Sequence, residues 1–66
     1  MKNTLKNERV LNEMTQVQLA DLVKVSRQTI ISIESGRYIP SVLLALKIAK
    51  VLHLQIEDLF KIEKSD

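Results

Sequence analysis

Sixty-six residues with no cysteine read as one domain, 1–66, near the lower limit for a single core. No disulfide or thiolate metal site is available to staple it. One glycine, one proline and two aromatics (Tyr38 and Phe60) favour helices with short connections around an aliphatic core. The net charge of +2 is uneven: Lys24 to Ile56 holds five cations against Glu34 alone, +4 there and −2 elsewhere. Such a basic middle is compatible with a polyanion facing one side. No apolar run approaches the ~20 residues of a membrane span and no apolar signal segment opens the chain, so a cytoplasmic, nucleoid-associated protein is expected.

Leu5 to Glu13 reads as a polar first helix, with Asn3 or Thr4 as its cap. Thr15 and Gln18 then have the spacing of a capping box, a hydroxyl at the N-cap and an amide three residues on. Met14 before the cap and Leu19 after it suit a hydrophobic staple. A second helix should run from Gln16 to about Val23, burying Leu19, Ala20 and Val23. Only Lys24 and Val25 separate it from Ser26, a good cap for a third helix from Arg27 to Ser35. Gly36 stands where a helix-closing residue takes positive φ at little cost. Two helices joined by so short a turn form the corner of a helix-turn-helix.

Arg37 to Pro40 is a loop. Ser41 caps a fourth helix reaching about Leu52, with Leu44, Ile48 and either Val51 or Leu52 inward. His53 to Gln55 connects to a short fifth helix, Ile56 to Phe60. The tail from Lys61 either frays, or Phe60 to Glu63 pairs as a strand with the extreme N-terminus. The expected class is therefore all-α with five helices, with or without a minor terminal β-hairpin.

The third helix carries the chemistry. At about 100° per residue from Arg27, Ile30 and Ile33 fall near 300° and 240° and set the inward direction. The opposite side holds Gln28, Ile31, Ser32 and Ser35, with Arg27 on its flank and no acid at its centre. Amides, hydroxyls and a guanidinium are what base edges require: Gln matches adenine N6/N7, Arg guanine O6/N7, and an apolar group a thymine methyl. Ile31 is either such a contact, a tolerated surface residue or a protein contact. Gln16 and Ser26 at helix starts, and Arg37 and Tyr38 past Gly36, are placed to approach phosphates. Lys24, Lys47 and Lys50 read as solvated charges. His53 has no second ligand at useful spacing, so no metal, cofactor or small-molecule site is indicated. No nucleophile–base pair or phosphate loop supports an enzyme.

The ordered set Thr15-Gln16 with Leu19-Ala20, Val25-Ser26-Arg27 with Thr29-Ile30, Ile33-Glu34 with Gly36, and Pro40-Ser41 resembles the lambda-repressor/Cro-type helix-turn-helix (XRE family). The likeness spans roughly Leu5 to Phe60. In compact size and short tail the chain is similar to the stand-alone, homodimeric repressors of the cytolysin-repressor type.

The resemblance implies a five-helix DNA-binding domain acting as a two-fold dimer, its third helix in the major groove of each half-site. It implies base contact at Arg27, Gln28 and Ser32, phosphate contact at Gln16 and the Arg37–Tyr38 loop, and an Arg9–Glu34 ion pair. Lys24 stands where the family often has glycine, so left-handed geometry there would be strained; Ile31 and Ile39 replace more usual polar residues. The functional expectation is a transcriptional regulator, more specifically a repressor of a palindromic operator. The alternative is an antitoxin or protein-interaction module that autoregulates its promoter, with Ile31, Ile39 or Ile62 touching protein. Ile56, Leu59, Phe60 and Ile62 are the candidate dimer surface.

Overall fold

A computed structural model describes all residues, 1–66. In chain order the elements are β1 (Lys2–Asn3), α1 (Leu5–Leu11), α2 (Gln16–Val23), α3 (Arg27–Glu34), α4 (Val42–Val51), α5 (Ile56–Leu59) and β2 (Phe60–Lys61). The fold is mostly helical with a two-stranded antiparallel sheet, in which Lys2 pairs with Lys61 and Asn3 with Phe60. The strand alternative for the tail is thus the one adopted, although shorter than Phe60 to Glu63. Phe60 opens the strand instead of closing the fifth helix, and α1 ends at Leu11, two residues before Glu13.

One aliphatic cluster holds the helices together. Leu5, Leu19, Ile30, Ile33, Ile48 and Leu59 are fully buried, and Ala20, Val23, Ala49 and Leu52 nearly so. Periodicity placed most of these, and of the two candidates at the end of α4 Leu52 is the buried one while Val51 is half-exposed. Helix α2 packs against both α3 and α4, so it is the element that spaces the other two. Leu59 corrects an expectation: it belongs to this core and is unavailable to a partner. The four-residue α5 presents few positions, and the strand that follows turns its last helical side chain inward.

Helix starts follow the local sequence closely. Thr15 Oγ1 accepts from the Gln18 N–H at 3.0 Å while Gln18 Oε1 accepts from the Thr15 N–H at 2.8 Å, completing the capping box. Ser26 Oγ accepts from the Thr29 N–H at 3.2 Å and Ser41 Oγ from the Leu44 N–H at 3.1 Å. Each bond satisfies an N–H that the first helical turn leaves without a carbonyl.

Helix ends follow one device repeated four times. At α1, α2, α3 and α4 a residue with positive φ (Glu13, Lys24, Gly36 and His53) turns the chain out. The next N–H reaches back to the carbonyl five residues earlier: Met14 to Arg9, Val25 to Ala20, Arg37 to Ser32 and Leu54 to Ala49. This is the Schellman closure, which satisfies orphan carbonyls at the price of one left-handed residue. Gly36 adopts it freely. Lys24, at φ 62° and ψ 44°, carries the strain that its side chain implies, and Glu13 and His53 share it.

The two ends of the chain meet at the sheet. The Met1 ammonium lies 2.9 Å from Asp66 and 3.2 Å from Glu63. The Asp66 and Glu63 side chains raise the proton affinity of the ammonium. The Glu63 backbone N–H, then the ammonium, hold the Asp66 carboxyl below its ordinary value. Thr4 donates its N–H to Leu59 O at 2.9 Å and its hydroxyl to Asp58 O at 2.9 Å. Asn3 donates its side-chain amide to Ile33 O at 2.9 Å, so the first strand also braces the end of α3.

Candidate nucleic-acid interface

Burial of Ile30 and Ile33 turns the opposite flank of α3 to solvent. Arg27, Gln28 and Ser35 are exposed there, and Ile31 and Ser32 are half-exposed. The Schellman turn at Gly36 folds the chain back, with the Arg37 and Tyr38 N–H groups both donating to Ser32 O at 3.0 and 3.2 Å. Tyr38 is thereby carried alongside α3. With Ser26, Gln28, Thr29 and Ser32 it lines a shallow depression of about 270 Å³.

Ile31 lies on a different side. It lines a second depression with Lys6, Gln16, Glu34 and Ser35, between the start of α1 and the outer edge of α3. Of the residues singled out in the sequence, Ser26, Gln28, Ser32 and Tyr38 line one flank and Gln16, Ile31 and Ser35 the other, while Arg27 lines neither depression. Arg37 is exposed beyond the end of the helix.

Two lining residues were not singled out. Thr29 falls nearer the core direction on the helical wheel, yet it is half-exposed and lines the depression with Tyr38. Lys6 comes from α1, whose own pattern says nothing about α3; the packing of α1 on α3 brings it there.

Beneath this surface is a polar network. Arg9 Nε donates to Glu34 Oε2 at 2.7 Å and Arg9 Nη2 to Glu34 Oε1 at 3.4 Å, with side chains only 10% and 6% exposed. Arg9 Nη1 donates to Met14 O at 2.7 Å. The only acid of the basic segment is thus neutralised internally, leaving the outward face of α3 without a free negative charge. Gln16 Nε2 donates to Glu34 Oε1 at 3.1 Å, and Arg27 Nε donates to Gln16 Oε1 at 3.3 Å. The Ser26 hydroxyl caps α3 and also meets Thr29 Oγ1 at 3.0 Å. Gln16 and Ser26, read from the sequence as phosphate contacts, each have intramolecular work as well.

The two adjacent helices α2 and α3 are joined by a three-residue turn, Lys24 to Ser26, and the second has a polar outward face. The helix-turn-helix family profile matches residues 5–59. The chain belongs to the helix-turn-helix family of DNA-binding transcriptional regulators. An HTH-type transcriptional regulator of Methanocaldococcus jannaschii is 53% identical over 66 residues, the whole of both chains. The restriction-modification controller protein C.AhdI of Aeromonas hydrophila superposes with a TM-score of 0.78 at 28% identity, over 85% of each chain. The SOS-response transcriptional repressor LexA of Eubacterium rectale superposes with a TM-score of 0.80 at 26% identity, over 94% of this chain and 66% of the other. The fold is lambda-repressor-like, and the family is one of regulators, not enzymes. None of these three is a cytolysin repressor, so they support the family and not that narrower likeness. No helix of this regulator is long and apolar enough to cross a membrane.

Proposed function

We propose that this regulator is a repressor that occupies a short, roughly palindromic operator as a homodimer, with α3 in the major groove of each half-site. The observation that carries the reading is the outward flank of α3, where amide, hydroxyl and guanidinium groups stand with no unpaired acid. In this reading Arg27, Gln28, Ile31 and Ser32 contact base edges. Gln16, Ser26, Arg37 and Tyr38 contact the phosphate backbone, and Lys6 joins them from α1. Residues 1–66 act as one DNA-binding unit inside the cell.

The dimer is supported by a second surface. Ile39, Val42, Leu43 and Leu46 are 64%, 72%, 64% and 51% exposed. Beside them Met1, Ile39, Pro40, Val42, Ala45, Ile56 and Phe60 line an almost wholly apolar groove. A patch of this kind is uncommon on a small monomer, and an isologous two-fold contact would cover it on both copies. Ile56 and Phe60 remain candidates for that contact.

Selection of bound sequences from random duplex DNA, followed by affinity at several salt concentrations, tests the reading. A palindromic site should emerge, and log affinity should fall linearly with log salt. Equal affinity for all duplexes would remove sequence-specific repression from consideration.

The second reading is an antitoxin or protein-interaction module that autoregulates its promoter, with Ile62, 87% exposed on the tail, and Ile39 turned to another protein. Ile39→Ser and Ile62→Ser separate the two. Loss of dimer mass assigns these side chains to self-association and removes the second reading; unchanged mass and operator affinity free them for another protein, which must then bind the wild type and not the variants.

A further inference from the structure

Arg27 and Glu34 are the first and last residues of α3. Seven residues apart, they lie within about 20° on the same side of the helix and about 10 Å apart along its axis. That separation is too long for a direct ion pair. The side chain of Gln16, from the first turn of α2, fills the interval: its Nε2 is 3.1 Å from Glu34 Oε1 and its Oε1 is 3.3 Å from Arg27 Nε.

The polarity of this chain of contacts is set from its two ends, and first by Glu34, whose contact is the part-buried one. An ionised carboxylate only accepts hydrogen bonds, so the face that Gln16 turns to Glu34 must be its NH₂ group. The carbonyl oxygen is then forced to the far side, where it can only accept and therefore draws the guanidinium of Arg27. Glu34 itself is fixed by Arg9, which holds both carboxylate oxygens and is in turn held by Met14 O. Arg27 offers only donors and favours the same orientation from the other end; without the charge at residue 34 the amide keeps that exposed contact alone and loses the part-buried one that fixes its place.

We infer that Glu34 is a positioning residue for DNA reading: through the Gln16 amide it orients the Arg27 guanidinium. Capture of Nε leaves the two Nη groups free, and these form the fork that pairs with guanine O6 and N7. An acid at the end of the recognition helix thus sharpens a cation at its start, two turns away. This inference rests on the proposed base-reading role of Arg27.

The test uses the full chain with Gln16→Leu, Glu34→Gln, Arg27→Ala and the double variant Gln16→Leu/Arg27→Ala. Gln16→Leu preserves the Arg9–Glu34 pair and so keeps the fold. In the free protein, nuclear relaxation of the Arg27 Nε–H should show a rigid group in the wild type and a mobile one in Gln16→Leu and Glu34→Gln. On DNA, both variants should lose about tenfold in discrimination at one base pair per half-site, measured where each is fully folded. At that base pair the double variant should be no worse than Arg27→Ala. Uniform weakening of all sequences by Gln16→Leu, additive with Arg27→Ala, would make Gln16 a phosphate contact alone and overturn the relay. A drop in melting temperature in Glu34→Gln with discrimination intact would reduce Glu34 to a structural acid. If the wild type discriminates no base pair, the DNA-reading proposal fails, while the mobility of the Arg27 Nε–H still decides whether the relay exists.

Discussion

Helices α3 and α4 enter the same core with similar tools, yet their outward faces differ in kind. Ile30 and Ile33 anchor α3, and Leu44, Ala45, Ile48 and Ala49 anchor α4. Outside, α3 shows Arg27, Gln28 and Ser32 with a single apolar residue, Ile31, whereas α4 shows Val42, Leu43 and Leu46 beside Lys47 and Lys50. The two also differ at their bases. Helix α3 is tied by side chains at both ends, with Glu34 on Arg9 and Gln16, and Arg27 on Gln16. The only side-chain hydrogen bond to α4 is its Ser41 cap. A face that reads base edges must be held in register to fractions of an ångström, and directional bonds do that. A face that meets apolar surface needs area more than direction.

That contrast can be broken from either side. The largest effect is expected from Arg9→Ala, which leaves Glu34 nearly buried and unpaired; the loss should be about 3–5 kcal/mol of folding free energy, read by urea titration. If the cost is below about 1 kcal/mol, α3 is no better anchored than α4. Leu46→Glu attacks the other face. It should leave monomer stability within about 0.5 kcal/mol but convert a dimer to monomer in sedimentation. Operator affinity should then fall about a hundredfold, or roughly 2.7 kcal/mol. Unchanged mass would mean that the α4 face serves something other than self-association.

Gln28→Ala is smaller and more selective. It should weaken the cognate site by about 1–3 kcal/mol and relax one position per half-site, with melting temperature unmoved. Arg37→Ala, its control, should weaken all duplexes alike and flatten the salt slope by about 1. Identical behaviour of the pair would dissolve the division into base and phosphate readers. The smallest effect has the opposite sign. Lys24→Gly relieves a left-handed side chain in the turn between α2 and α3 and should stabilise by roughly 1 kcal/mol, a rise in Tm of about 4–8 °C. No rise would show that the turn is not strained.

Much of the scaffold is legible in the sequence. Thr15, Ser26 and Ser41 cap the helices expected of them, and the buried set Leu19, Ala20, Val23, Ile30, Ile33, Leu44 and Ile48 follows from helical spacing. Both signals are local, because a cap spans three residues and a helical face repeats within four. The ends of α2 near Val23 and of α4 near Leu52 follow from the spacing to the next start signal, and Gly36 marks the end of α3 directly. The left-handed closure itself shows in the sequence only at Gly36 and, through the family pattern, at Lys24. Glu13 and His53 close their helices in the same left-handed way with no glycine to announce it, and Glu13 was accordingly read as helical. The inward turn of Leu59 is not legible in the sequence, because a helix as short as Ile56 to Phe60 offers too few positions to define a face.

By itself, then, the amino-acid sequence determined where the helices start, which aliphatic residues form the core, and that one helix turns an acid-poor polar face outward. Tertiary structure alone decided how that face is divided. It placed Tyr38 beside Gln28 and Ile31 beside Lys6. It turned Gln16 from a free end-of-helix amide into the bridge between Glu34 and Arg27. The reason is physical: periodicity reports which side of a helix avoids water, whereas side-chain hydrogen bonds between helices depend on how those helices cross, and no spacing along one of them encodes that.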